Sequence, residues 1–400
     1  MKLVADYVFP IVGEPIKNGY VELNEDGVIV AIGEFVLKTK EAKSTTSDIE
    51  FYHGILVPGF VNSHCHIELS HLKGVFQKGT GMAGFIRQIN MLRESVSKEE
   101  RIAALEREMD TLYSAGVSAM ADISNCEESF ETKSKSKIYT RTFLEVFGSE
   151  PEIALEVMDG VVALTALAKE YGIDAAPTPH SCYTMSPGLL EASSAKALEA
   201  GWLSYHNQES WEEEELIMSG TGPLAQSYRS RSLSMPPVTG SSALLYFLER
   251  LANIGGVNEQ NVLLVHNTFT NEQSVKAAKE VIKNLYWAIC PLSNLFIHNA
   301  LPPLSLLMRE QATITLGTDS LSSNNLLSMV DEIKCIHKYF PTIELKDILE
   351  WSSYNGAKFL GKENTLGSFE KGKEPGVVLI DNIDWQKMQL TEQSKSVRLV

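Results

Sequence analysis

Eight short apolar runs, each closing on polar residues, constrain this 400-residue chain more than any other feature. They are GFVNSHCH, GVSAMADIS, YTRTFLEVFG, GIDAAPTPH, WLSYHNQE, NVLLVHNT, LYWAICPLS and TITLGTDS. A short run that is apolar on both faces is how a buried parallel strand reads, and parallel strands need a crossover between them. Helix-like stretches such as IALEVMDGVVALTALAKEYG, SALLYFLERLANIGG and NEQSVKAAKEVIKN lie between several of the runs. The pattern predicts the α/β class and a (β/α)₈ TIM barrel, whose functional groups gather at the C-terminal ends of the strands.

The flanks read differently. LVADYVFPI, GYVELNEDGVIVAIGE and IEFYHGILVPGF are β-branched and aromatic, broken by Gly, Pro and an Asn-Glu-Asp-Gly turn. LKTKEAKSTTSD between them reads as a surface loop. After ILEWSSYNGAKFLG the strand pattern returns in LGSFEKGKEPGVVLIDN and SVRLV. Strands from both ends can pair. The expected organisation is a small β-sandwich domain from residues 1–57 plus 365–400, and a barrel domain over 58–364.

Composition narrows the class of partner. An apolar share of 44% with 22% charged residues is that of a globular protein. A net charge of −16 argues against a nucleic acid and against an anionic membrane surface. The N-terminus lacks a signal-peptide pattern, and no run of about eighteen apolar residues could span a bilayer. Five scattered cysteines without a C-x-x-C pair fit reduced thiols. The expectation is a cytoplasmic protein acting on a small molecule, with no nucleic acid, no membrane, and a homodimer as the candidate assembly.

Side chains alternate along a strand, so His64 and His66 face one way and Cys65 the other. At the C-terminal end of a barrel strand that way is into the mouth, and two convergent imidazoles there form half a metal site. WLSYHNQE ends on His206 with Glu209 three residues later. Positions three apart in a regular strand face opposite sides. Both can address one site only if the chain leaves the strand after His206 and turns Glu209 back inward. NVLLVHNT carries His266, and TITLGTDSLSSNN carries Asp319 at the start of a polar loop. Histidines and an aspartate from different strand ends suit one divalent cation, zinc first, with Fe²⁺ and Mn²⁺ left open by residue type. Elsewhere Glu212–Glu215 reads as a solvated helix start and His298 as a loop histidine, while Phe85, Tyr183 and Trp211 suit aromatic contacts in the pocket and ordinary packing equally.

These motifs resemble the amidohydrolase superfamily, in the aminohydrolase and chlorohydrolase branch that includes deaminases of adenosine derivatives. The resemblance runs from LVPGFVNSHCH through CPLSNL and LGTDSLSSNN to GSFEKGKEPGVVLID, nearly the whole chain. It implies His64, His66, His206 and Asp319 as metal ligands, and Glu209, His266 and Asp319 as catalytic groups. Within that set Glu209 would be the proton shuttle, and His266 would stand beside the bound water or the substrate. It implies His180, in TPHSCYTMSP, as a lining residue of the substrate pocket. Two-metal relatives bridge their ions with a carboxylated lysine at the end of the fourth strand; YGIDAAPTPH has none there, which implies a single ion. HIELSHLKG looks like the matching stretch of aminofutalosine deaminases, implying Glu68 and Ser70 at the substrate, with Glu68 as an acceptor for ribose hydroxyls. The expected reaction is hydrolytic release of ammonia from an adenine-type nucleoside, 6-aminodeoxyfutalosine first. S-adenosylhomocysteine, methylthioadenosine or guanine-type deamination and triazine dechlorination are the rivals. GKEPGVVLID departs from the branch's usual acidic Ala-Asp form, in the small domain rather than at the site.

Overall fold

A computed structural model describes residues 1–36 and 49–400, so the stretch LKTKEAKSTTSD, read as a loop, lies outside the described residues. The chain opens with strands β1 (Lys2–Val8), β2 (Ile16–Leu23), β3 (Ile29–Glu34) and β4 (Ile49–Pro58). Eight strands follow: β5 (Phe60–Cys65), β6 (Val117–Ser124), β7 (Tyr139–Val146), β8 (Asp174–Pro179), β9 (Trp202–Asn207), β10 (Asn261–His266), β11 (Asn284–Ile289) and β12 (Thr313–Leu316). These are the eight runs singled out in the sequence. They pair in parallel as two four-stranded sheets, β5-β6-β7-β8 and β9-β10-β11-β12.

Two seams close the sheets into a barrel. At one, the His64 carbonyl accepts the N–H groups of Thr318 and Asp319, each at 3.0 Å. At the other, the His206 N–H donates to the His180 carbonyl at 2.9 Å, and the Thr178 hydroxyl donates to the Ser204 carbonyl at 2.7 Å. Each strand buries both faces. Along β10, Val262 and Leu264 pack outward against the helices, while Leu263 and Val265 join Val61, Ala121 and Phe143 inside. Burying each such side chain contributes about 1.5–3 kcal/mol.

Strands β13 (Val377–Ile380) and β16 (Ser396–Arg398) return to the start of the chain. With the first four strands they form one six-stranded sheet, ordered β16-β13-β4-β1-β2-β3. Its hairpin β2–β3 turns on Asn24, whose side-chain oxygen accepts the N–H groups of Asp26 and Val28. Strands β14 (Ile383–Asp384) and β15 (Gln389–Leu390) form a separate two-stranded ribbon. Among the described residues no helix is long and apolar enough to cross a membrane.

One close approach ties the barrel seam to the residues of interest. A Cβ placed on Gly317 would lie 2.9 Å from the backbone nitrogen, the carbonyl oxygen and the Cβ of His64. Backbone cannot swing aside as a side chain can, so β5 and β12 must part to admit a methyl group. Gly317→Ala is expected to cost about 1–3 kcal/mol of stability in urea unfolding. A midpoint equal to that of the parent would show that the seam has slack.

Candidate active site and metal centre

His64 and His66 stand at the C-terminal end of β5, where the strand slips register against β6 between Asn62 and Cys65. Cys65 packs in the outer core, as alternation requires. Ligand atoms of His64, His66 and His206 lie within 4.8 Å of one another. Asp319 completes the cluster, with Oδ1 at 3.8 Å from His64 Nε2 and 3.7 Å from His66 Nε2. Its other oxygen, Oδ2, is occupied, accepting from the Ser293 hydroxyl at 2.5 Å and the Ser323 hydroxyl at 2.8 Å. The backbone is strained at this end of the barrel. His266 and Asp319 have φ of 70° and 56°, a left-handed conformation that costs residues other than glycine about 1–3 kcal/mol.

The donor set fits a cation. His64 is fully buried, and neither of its ring nitrogens has a hydrogen-bond partner among the described residues. A buried donor or acceptor left that way costs about 1–3 kcal/mol. A metal ion satisfies a ring nitrogen without a proton. Burial first, then the neighbouring imidazoles, holds the His64 and His206 rings well below their usual range. They are neutral, the form a metal requires. Burial pushes the Asp319 carboxyl up, but His66, His266 and His64 together pull it down to about 2, so it stays anionic.

Glu209 faces the cluster from the other side. Its Oε2 accepts from the Tyr183 hydroxyl at 3.3 Å, and its Oε1 lies 3.6 Å from His266 Nε2. Burial, then Asp319 and Glu213, raises the Glu209 carboxyl well above the ordinary carboxylate range. His266, pushed down to about 4 by burial, takes the Asn294 amide at Nδ1, which leaves its proton on Nε2 toward the site. The result is Glu209 and the neutral His266 imidazole on one side, and the Asp319 carboxylate with the neutral rings of His64 and His206 on the other. His180 stacks on His206 with ring centroids 4.4 Å apart.

These groups line a cavity of about 520 Å³. Its polar floor is His66, His180, His206, Glu209, His266 and Asp319, and one wall is apolar, with Leu69, Met82, Phe85, Ile86 and Ile89. Glu68 and Ser70, expected at the substrate, are not among the residues that line it. The segment Ile67–Leu72 is a tight 3₁₀ turn, not an extension of the strand, so the two do not share a face. Ser70 donates to the Ile67 carbonyl at 2.6 Å. Glu68 sits behind the lining, bonded to Arg93 at 2.5 Å and to the Asn125 N–H at 2.9 Å. Arg93 and Asn125 themselves line the cavity.

Two further expectations need correction. Glu213 and Glu214 are buried rather than solvated, and Glu212 accepts the N–H groups of Met82 and Ala83. His298 is the last residue of the helix Pro291–His298 and half-buried; burial and His266 push it down to about 3. Of the three aromatics considered, Phe85 and Tyr183 line the cavity, while Trp211 is exposed.

Several site residues went unnoticed in the sequence. Glu145, at the end of β7, lines the cavity with a side chain only 5% exposed, 3.4 Å from His206 Nδ1, and its Oε1 has no hydrogen-bond partner among the described residues. Asp122, near the end of β6, accepts the Ile67 N–H at 2.9 Å and pairs with buried Lys133 at 2.6 Å, fixing the turn that follows His66. Both stand where the recognised ligands stand, near the C-terminal end of a barrel strand. That position was the available signal.

The depressed histidines set a pH dependence for the metal-free protein. His64, His206 and His266 stay neutral in the folded chain, whereas in the unfolded chain they bind protons near pH 6.5. Those three rings therefore take up more protons in the unfolded chain between about pH 6.5 and 4, so their contribution to stability falls as pH falls through that window, while the buried carboxyls of Glu209 and Glu213, raised by burial, act in the opposite sense. In chelator-treated protein the ring NMR signals of His64, His206 and His266 should remain those of neutral imidazoles down to about pH 5; titration near pH 6.5 would contradict the burial of these rings.

Comparison with known proteins agrees with the geometry. The sequence pattern of the Amidohydrolase family matches residues 55–399. The 5′-deoxyadenosine deaminase of Methanococcus vannielii is 26% identical over 387 residues, 93% of this chain and 85% of the relative. Helicobacter pylori aminofutalosine deaminase, solved in complex with methylthio-coformycin, shares the fold with a TM-score of 0.80 and 22% identity, over the whole of both chains. An adenosine deaminase from Xanthomonas campestris with bound zinc gives a TM-score of 0.69 at 21% identity, covering 95% of this chain and 84% of that one. The chain belongs to the Amidohydrolase family and is a hydrolase of that family.

Proposed function

We propose that the protein is a hydrolytic deaminase of an adenine-type nucleoside, using one divalent cation, zinc first, held by His64, His66, His206 and Asp319. The observation that carries this reading is the placement of Glu209 in one cavity with the histidine–aspartate cluster, its carboxyl between Tyr183 and His266. Burial raises that carboxyl, and a carboxylic acid there can give its proton to a ring nitrogen, which suits a cyclic amidine better than a simple amide. The bound cation would supply Lewis acidity, lowering the pKa of a water molecule toward about 7.

The chain's own groups divide the proton work. Asp319 Oδ1, the oxygen that Ser293 and Ser323 leave free, accepts the proton of the attacking water. Glu209 protonates the ring nitrogen beside the amine-bearing carbon, so that the C–O bond forms at a better electrophile. The C–N bond then breaks: the proton on Asp319 leaves with ammonia, and the hydroxyl proton of the new C–OH passes to Glu209 as the carbonyl forms, restoring both groups. His266 Nε2–H hydrogen-bonds the oxygen as negative charge develops.

The rest of the cavity favours a nucleoside carrying an extended 5′ group. The unpartnered Glu145 oxygen is a better acceptor for ribose hydroxyls than Glu68, which Arg93 and Asn125 already occupy. His180 lies beside it, with Nε2 3.9 Å from Glu145 Oε1. The apolar wall from Leu69 to Ile89 suits a 5′ substituent, with Arg93 at its side. We therefore place 6-aminodeoxyfutalosine first, ahead of S-adenosylhomocysteine, methylthioadenosine and guanine.

A panel of 6-aminopurine nucleosides, followed by loss of adenine absorbance, tests the reading, with a chlorotriazine as control. Ammonia from a nucleoside is expected; chloride from the triazine alone would move the protein to dechlorination. Glu209→Gln should keep its metal by elemental analysis and lose about 10²–10⁴-fold in kcat. Near-parental turnover would remove Glu209 from the chemistry.

A further inference from the structure

The sequence posed a geometric problem: Glu209 follows His206 by three residues yet must face the same site. The backbone answers in part, because Gln208 adopts a left-handed φ of 44°. What holds that conformation is Glu213, a fully buried carboxyl. Its Oε2 accepts the Glu209 N–H at 2.8 Å, and its Oε1 accepts the Gln208 N–H at 3.1 Å.

Glu213 is the third residue of the helix Trp211–Ser219, whose N-cap is Ser210. In a capping box a carboxylate at that position returns to the N–H of the N-cap residue itself. Here it reaches past Ser210 to the two residues before it. Its neighbours hold the surroundings of the same turn. Glu214 accepts from the Gln208 amide at 3.0 Å and from the Ala243 N–H at 3.1 Å. Glu212 anchors the start of the helix Gly81–Leu92, which carries Met82 and Phe85 of the apolar wall.

We propose that Glu213 is a positioning residue, whose two oxygens grip the Gln208 and Glu209 backbone and aim the Glu209 carboxyl at Tyr183, His266 and the substrate. The inference rests on the reading of Glu209 as the proton-transfer group. A side chain whose two oxygens are taken by the Gln208 and Glu209 N–H groups and the Cys182 thiol touches no substrate, so its effect passes through Glu209. A misplacement of about 1 Å costs on the order of 10²-fold in rate.

A double-mutant cycle on the best nucleoside of the panel tests this. Glu213→Ala is expected to lower kcat about 10–100-fold, with KM changed less than about threefold and bound metal unchanged. In the Glu209→Gln background the same change should cost less than about twofold, since there is no acid left to misplace. A crystal structure of Glu213→Ala should show the Glu209 carboxyl withdrawn from Tyr183 and His266. If Glu213→Ala fails to fold, Glu213→Gln, which keeps one acceptor, enters the same cycle with a smaller loss. Undiminished kcat, an equal loss in both backgrounds, loss of metal, or an unmoved Glu209 would each overturn the proposal. Full activity in Glu209→Gln alone would instead overturn the role of Glu209.

Discussion

One backbone oxygen organises this protein. The His64 carbonyl accepts N–H groups from both Thr318 and Asp319, and in doing so joins the first barrel strand to the last. The contact that closes this seam of the barrel is therefore the contact that brings Asp319 beside His64 and His66, some 250 residues away along the chain. Gly317 permits it, since any side chain there would press on His64. Fold and site share this seam, and neither can shift without the other.

The electrostatics follow from burial at the same place. Removing several imidazoles from water keeps them neutral, and neutral imidazoles can face one another and a cation. A carboxylate in their midst stays ionised: Asp319 has two hydroxyls on one oxygen and imidazoles toward the other. A second carboxyl across the cavity, that of Glu209, is pushed the other way by burial and by Asp319 itself. The surroundings thus drive two acidic groups in opposite directions, the arrangement that acid–base division of labour needs.

The barrel was legible in the sequence because strands buried on both faces must be apolar along their whole length. His64 and His66 were legible because strand alternation fixes which side chains share a face. Glu68 and Ser70 rested on resemblance, and they lie in a segment that coils as a 3₁₀ turn, with Glu68 held by Arg93 and Asn125. The run Glu212–Glu215 was read as solvated because acids at a helix start usually are. Nothing local says that Glu212 would meet the N–H groups of Met82 and Ala83, or that Glu213 would fold back on Glu209. Asp122 and Glu145 were hidden for the opposite reason: each sits inside an apolar run, where a lone acid is easily passed over.

The account stands on a single cation held by side chains from three separate stretches of the chain. Anomalous diffraction at the zinc edge from zinc-loaded crystals addresses it directly. One peak is predicted, about 2.0–2.2 Å from ring nitrogens of His64, His66 and His206 and from an Asp319 oxygen. No peak within coordinating reach of these four residues, or a peak elsewhere in the barrel, would contradict it.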